Sequence, residues 1–174
     1  MIKLTDIDSI RVGHAHDLEE GTGCSVILFD KSAVAGIDIR GSAPGTRETA
    51  MLSPTFMVCE INAIMLTGGS AFGLRTADGA MRYLSENGIG FQTPGAVIPI
   101  VPAAVIYDMY TNRDPELPDV NMGYQACINA GKDFKEGQVG VGTGAKVGKI
   151  LGLSHSMQGG IATAGKKLAY DVTV

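Results

Sequence analysis

Ser70 lies in the run LTGGSAFGL, Leu66 to Leu74, where an apolar stretch meets two glycines and then a helix-like pattern. A nucleotide-type phosphate loop needs G-x-x-x-x-G-K-[ST], and GGSAFGLR has no lysine at the required place. A G-x-S-x-G nucleophile elbow fails as well, since Gly69 directly precedes the serine and Ala71 and Phe72 follow it. Two readings survive. Glycines before a helix N-terminus expose N–H groups that can hold a carbonyl oxygen, carboxylate or oxyanion. Alternatively, Gly68 and Gly69 form a tight strand-to-helix turn that Ser70 caps.

Other residues carry possible chemistry. An extended GHAHD would put His14 and His16 on one face with Asp17 adjacent, the start of a metal site. The third histidine is distant at His155 and no further ligand cluster follows, so no metal is expected. Tyr107 and Asp108 end a proline-broken apolar run, where a tyrosine can aim its hydroxyl into a cleft as an oxyanion donor, or pack as an aromatic with a wet tip. Lys146 and Lys149 sit in glycine-rich backbone. Beside a cleft they could hold a substrate carboxylate or lower a neighbouring amine's pKa; on an exposed loop they are solvated charges. No Ser–His–acid triad assembles from these positions.

Elements must place these residues. Cys24–Asp30 and Ala33–Ile39 are β-prone runs split by Lys31-Ser32, which predicts a hairpin. GSAPGTRET reads as a loop bearing Arg47 and Glu48, with a structural ion pair expected for Arg47. INAIMLTGG predicts a buried strand. Leu74, Ala77, Met81 and Leu84 then recur at helical spacing up to Gly88. Pro99 and Pro102 interrupt the next apolar run, leaving a bulged or edge-like strand or two extended pieces. Asp119 caps a short helix with Met122, Ala126, Cys127 and Ala130 along one side and Gly131 at its end. GQVGVGTGAKVGKILG is expected to be mostly extended. LAYDVTV alternates, with Leu168, Tyr170, Val172 and Val174 on one face of a predicted strand.

Composition narrows the classes. The 174 residues suffice for one domain, and only 18% are charged. A net charge of −4 gives no electrostatic reason to expect nucleic acid or an anionic membrane. Three widely spaced cysteines without C-x-x-C suggest reduced core thiols. With no signal-peptide pattern and no run of membrane-spanning length, a cytoplasmic protein is expected.

The order of segments is more specific than any one of them. LTDIDSIRVGHAHDLEEGTGCSVILF, GIDIRGSAPGTRET, AIMLTGGSAFGLRTADGAMRYL, VIPIVPAAVIYD, GQVGVGTGAKVGK and GGIATA follow one another from Leu4 to Val174. Together they resemble the self-cleaving aminopeptidases that include L-aminopeptidase/D-esterase enzymes, β-peptidyl aminopeptidases and nylon-oligomer hydrolases. The resemblance implies an α/β fold, a four-layer α-β-β-α sandwich similar to N-terminal nucleophile hydrolases. It also implies a precursor that cuts itself, freeing an N-terminal Ser or Thr on a smaller C-terminal subunit. The α-amine of that residue, with a pKa near ~8, can serve as its base, so cleavage creates nucleophile and base together.

By the same resemblance, residues 1–174 form a single domain, most of the larger subunit. In relatives, DVTV is followed by a strand with an asparagine, a loop, and the cleavage point. The nucleophile is then not Ser70, and the fragment alone is expected to be inactive. Tyr107 matches the tyrosine that helps bind the substrate carbonyl or oxyanion. Lys149 matches a lysine near the nucleophile in nylon-oligomer hydrolases, whereas Lys146 has no clear counterpart. Gly68, Gly69 and Ser70 become the cleft wall. The implied partners are a small peptide, amide or ester, the self-cleaved C-terminal subunit and further copies in a homo-oligomer, with no cofactor. Two rivals remain open: a self-processing acyltransferase of the arginine-pathway type, and a non-catalytic binding or assembly subunit.

Overall fold

The computed structural model describes residues 2–110 and 116–174. In chain order its strands and helices are β1 (Ile10–Asp17), β2 (Thr22–Val34), β3 (Thr46–Arg47), β4 (Glu60–Thr67), α1 (Thr76–Glu86), β5 (Phe91–Gln92), β6 (Val97–Ile98), β7 (Ala103–Val105), α2 (Val120–Ile128), β8 (Lys146–Val147) and β9 (Met157–Gln158). Strands β1, β2, β4, β7 and β3 form one sheet in that spatial order, and β5–β6 and β8–β9 are separate two-stranded ribbons. All sheet neighbours are antiparallel except β4 and β7.

Side chains alternate along the long strands, so each face of the sheet has its own chemistry. Cys24, Val26, Leu28, Ala63, Met65 and Ala103 point to one face and meet Ala77, Ala80 and Leu84 of α1 and Ala126 and Cys127 of α2. This is the core. Leu28, Met65 and Leu84 are fully buried there, and each contributes about 1.5–3 kcal/mol of burial free energy. Leu74, Met81, Met122 and Ala130 pack against its margin, as the helical spacing predicts. Asp119 accepts a hydrogen bond from the Met122 N–H at 2.8 Å, which confirms it as the α2 cap.

On the opposite face, His14, Ser25, Leu66 and Ala104 fall in register, as do Val12, Ile27 and Ile64. Ile27, Ile64 and Leu66 are only half-buried. The described residues therefore provide one principal sheet and one helical layer of an α/β architecture.

Three expectations need correction. The predicted hairpin at Lys31-Ser32 does not form, and β2 runs on to Val34. Both of its edges are already paired, with β1 and with β4, so Ala33–Ile39 cannot fold back on it. The polar dipeptide instead marks a register shift between Leu28 and Ala33, where the Ser32 hydroxyl donates to Glu60 Oε2 at 2.6 Å. The segment Gly137–Gly152 is not mostly extended: Gly140–Thr143 and Lys149–Leu151 are 3-10 turns. LAYDVTV is not a strand either. Tyr170 adopts a left-handed conformation at φ 62°, and the segment bonds to itself, with Lys166 and Val174 exchanging N–H···O bonds of 2.6 and 3.0 Å.

The proline-broken run resolves into two extended pieces, β6 and β7. The second is not edge-like: it lies between β4 and β3. Pro102 has no N–H, but its carbonyl accepts from Met65 at 2.9 Å, so the ladder keeps that bond.

Candidate functional site

Strand β4 ends at Thr67, and the chain reverses through Gly68 and Gly69 into the 3-10 turn Ser70–Arg75 that leads into α1. Asp108 occupies the hollow of this turn. Its Oδ1 accepts from the Gly69 N–H at 2.7 Å and its Oδ2 from the Thr22 hydroxyl at 2.7 Å, and the side chain is 7% exposed. A Cβ on Gly68 would sit 2.0 Å from Asp108 Oδ2 and 2.4 Å from Thr22 Oγ1, so only glycine fits there. The anion that this glycine turn holds is thus a carboxylate of its own chain.

The other amides of the turn are committed too. Gly68 N–H donates to the Gly23 carbonyl at 2.8 Å and Ser70 N–H to the Ile106 carbonyl at 3.0 Å. Ser70 does not cap the helix with its hydroxyl; its backbone is left-handed at φ 53°, Gly69 occupies the cap position of the 3-10 turn, and Arg75 that of α1. The three residues hold the end of β4 against the end of β7, which aims the residues after β7.

Those residues are Ile106, Tyr107 and, beyond Asp108, Tyr110. Tyr107 is exposed, and its ring meets Tyr110 edge-on with centroids 5.4 Å apart. From the glycine-rich segment that follows α2 come two lysines. Lys149 donates to Tyr110 Oη at 2.8 Å, while the Nζ atoms of Lys146 and Lys149 lie 5.2 and 5.3 Å from the centre of the Tyr110 ring. Tyr107, Lys146 and Lys149, with Ile106 and Ala145, line one cleft of about 260 Å³. The structure therefore gathers three residues singled out in the sequence. Chemically, the cleft offers a phenol O–H and two ammonium groups: donors suited to an oxygen that carries or develops negative charge.

The histidines lie elsewhere. His14 Nδ1 is 2.8 Å from Ser25 Oγ and its Nε2 is 3.0 Å from the Lys135 carbonyl. The Lys135 carbonyl can only accept, so the neutral ring carries its proton on Nε2 and the Ser25 hydroxyl, which also accepts the Val141 N–H, donates to Nδ1. Burial lowers the His14 pKa, and neighbouring His16 adds to this, against the Lys135 hydrogen bond. His16 Nδ1 accepts from the Gly140 N–H at 3.3 Å, and His155 contacts Ser154 at 3.1 Å. Among the described residues no group of three or more His, Cys, Asp or Glu side chains is placed to hold a metal ion. Arg47 pairs with Asp78 at 2.7 Å, the structural role expected of it. Cys24 and Cys127 are buried free thiols whose pKa values burial raises, which keeps them protonated.

Sequence reasoning missed Asp108 as the keystone of the turn, and it missed Tyr110 and Thr22. Asp108 meets Thr22 across 86 positions and Gly69 across 39, so no local pattern announces it. The one available signal was a carboxylate at the end of an apolar strand, where burial demands partners.

The chain resembles known proteins over most of its length. An aminopeptidase of Mycobacterium tuberculosis, named as uncharacterized, is 41% identical over 182 residues, covering 100% of this chain and 51% of that protein. The 6-aminohexanoate-oligomer endohydrolase of Paenarthrobacter ureafaciens is 33% identical over 147 residues, covering 83% of this chain and 39% of that protein. The chain thus spans about half the length of the curated relatives it matches, or less. Among solved structures, the L-aminopeptidase D-Ala-esterase/amidase of Ochrobactrum anthropi, described as a variant of the Ntn hydrolase fold, superposes with a TM-score of 0.62. The match covers 82% of this chain and 44% of that one at 18% identity, a likeness of fold. The sequence profile of Peptidase family S58 matches residues 3–174, and the chain belongs to that family.

Proposed function

We propose that this chain is most of the larger subunit of a self-processing hydrolase that removes N-terminal residues from small peptides, amides or esters through an acyl-enzyme. One observation carries the reading: Tyr107, Lys146 and Lys149 meet in one cleft, where they offer donors to an oxygen that develops negative charge. Among the described residues its lining includes no hydroxyl or thiol nucleophile, in keeping with a reactive hydroxyl that arrives from another piece of polypeptide. The half-length coverage of relatives supports the same view. So do exposed apolar side chains late in the chain, with Ile150 95%, Leu151 72% and Tyr170 99% exposed, which suit a covering partner.

In this reading, the hydroxyl of the partner's N-terminal Ser or Thr attacks the substrate carbonyl carbon and its own α-amine takes the proton. The carbonyl oxygen becomes an oxyanion that Tyr107 O–H stabilises, with Lys149 nearby as a positive group. Collapse expels the amine or alcohol, which takes a proton. Water then hydrolyses the acyl-enzyme and restores the hydroxyl. Gly68, Gly69 and Ser70 act as the wall behind the cleft. No described helix is long and apolar enough to cross a membrane. A cytoplasmic homo-oligomer without a cofactor completes the proposal, on the family resemblance.

The test is expression of the chain with its natural downstream segment. The expected product is cut into two bands, the shorter starting with Ser or Thr, with amidase activity that Ser70→Ala leaves within a few-fold of the parent. An uncut, inactive product, or loss of activity specifically on Ser70→Ala, overturns the proposal.

A further inference from the structure

The hydrolytic step gives Lys149 a place near the oxyanion and leaves Lys146 without a role. Lys146 is half-buried and Lys149 exposed, yet both ammonium groups converge on one aromatic ring, that of Tyr110. Lys149 is also fixed by its 2.8 Å hydrogen bond to Tyr110 Oη. Like charges drawn to one place repel, and flexible lysines ordinarily separate into water. Neither forms an ion pair among the described residues. Asp108 has both oxygens engaged by Gly69 and Thr22, and Glu20 lies with Lys146 on a neighbouring recess of about 100 Å³. The Tyr110 ring stabilises the Lys146 cation, its hydroxyl holds Lys149, and its edge contact with Tyr107 fixes the ring at the cleft mouth.

We infer that Lys146, seated over Tyr110 with Lys149 beside it, selects substrates that carry a carboxylate, above all the free C-terminal carboxylate of a short peptide. Tyr110 is the positioning residue for the pair. The inference rests on the cleft being the substrate site of the proposed hydrolase, and it adds the substrate class. A small cleft favours a terminal carboxylate: at about 260 Å³ it suits a short substrate, whose chain end then lies close to the lysines that line it.

Binding can be read without turnover. The chain is titrated with trialanine, trialanine amide, and an alanine peptide amide with one internal glutamate, and amide shifts are followed by NMR. Trialanine is expected to bind about three- to fivefold more tightly than its amide, the range of a partly exposed charge pair, with the advantage shrinking as salt rises. Lys146→Met is expected to remove most of that advantage. Tyr110→Phe keeps the ring and so retains the Lys146 share, whereas Tyr110→Leu loses it. Binding of the glutamate peptide as tight as that of trialanine extends the recognition to side-chain carboxylates and supports the same charge selection.

Equal affinity for acid and amide overturns the inference, as does failure of all three peptides to bind. A preference that survives both Lys146→Met and Lys149→Met overturns it too. If Lys146 only balances the charge of Asp108, Lys146→Met lowers the melting temperature and leaves the acid preference intact, which also overturns it. Self-cleavage is read on the longer polypeptide, so its failure and a failure of charge selection are separate results.

Discussion

Asp108 holds three segments together through one carboxylate: the start of β2 through Thr22, the turn after β4 through Gly69, and its own place beyond β7. Removing it leaves a buried N–H and a buried hydroxyl unpaired, and an unsatisfied group costs more than the bond itself contributed. Asp108→Ala is expected to destabilise the chain by about 3 kcal/mol in urea denaturation, since a hydrogen bond to a charged group contributes about 1.5–3 kcal/mol. Thr22→Val alone should cost about 1 kcal/mol, and adding it to Asp108→Ala should cost little more, because the two share one interaction. Full additivity in that double-mutant cycle would mean that the 2.7 Å contact carries no stability.

At the scale of elements, the core is set by how closely the two helices approach. A Cβ on Gly79 of α1 would meet the Val120 carbonyl oxygen at 2.0 Å, and one on Gly123 of α2 the Thr76 carbonyl oxygen at 2.0 Å. Helix propensity and packing therefore make opposite predictions for Gly123→Ala. Propensity favours alanine by about 1 kcal/mol. Steric overlap with backbone costs about 1–3 kcal/mol, and a backbone carbonyl cannot swing aside as a side chain can. The net expectation is a lower urea midpoint; a raised one would show that the helices can part without loss. This contact also shows what the sequence could and could not reveal. The buried face of α1 and the cap of α2 were legible because each follows from spacing within one segment. The role of Gly123 depends on Thr76, 47 positions away, and that of Asp108 on Gly69, 39 positions away. The run of β2 through Lys31-Ser32 was illegible for the same reason, since only pairing on both edges keeps that strand from turning. Tyr107, Lys146 and Lys149 were each visible as candidates, but their meeting at Tyr110 was not.

At the scale of the whole molecule, His14 ties the first strand to segments more than a hundred residues later. It bonds Ser25 on β2 and the Lys135 carbonyl, while Ser25 in turn holds the Val141 N–H of the turn that leads toward the lysines. His16 on the same strand, and Lys135 and Asp133 beside a cleft of about 570 Å³, are the charged or titratable groups facing it. Protonating Nδ1 would set a donor against the Ser25 hydroxyl, which already donates there and would have to turn away. The sign of the pH effect follows from burial, which lowers the His14 pKa in the folded chain from its ordinary 6.5. Between the two pKa values the unfolded chain binds more protons, so stability rises with pH in that window. His14 therefore contributes fully above about pH 6.5, and its contribution fades as pH falls toward the lower, folded value. Glu86 and Glu136 are carboxylates with lowered pKa values; their contribution is lost only below their ordinary 4.5, so the two effects separate on the pH axis. Melting temperatures measured from pH 8 to 5 should fall through this histidine window, and His14→Gln, which cannot titrate, should flatten that limb while leaving the acid limb below 4.5 in place. An unchanged slope in the variant would assign the limb to another group and reduce His14 to a neutral strut.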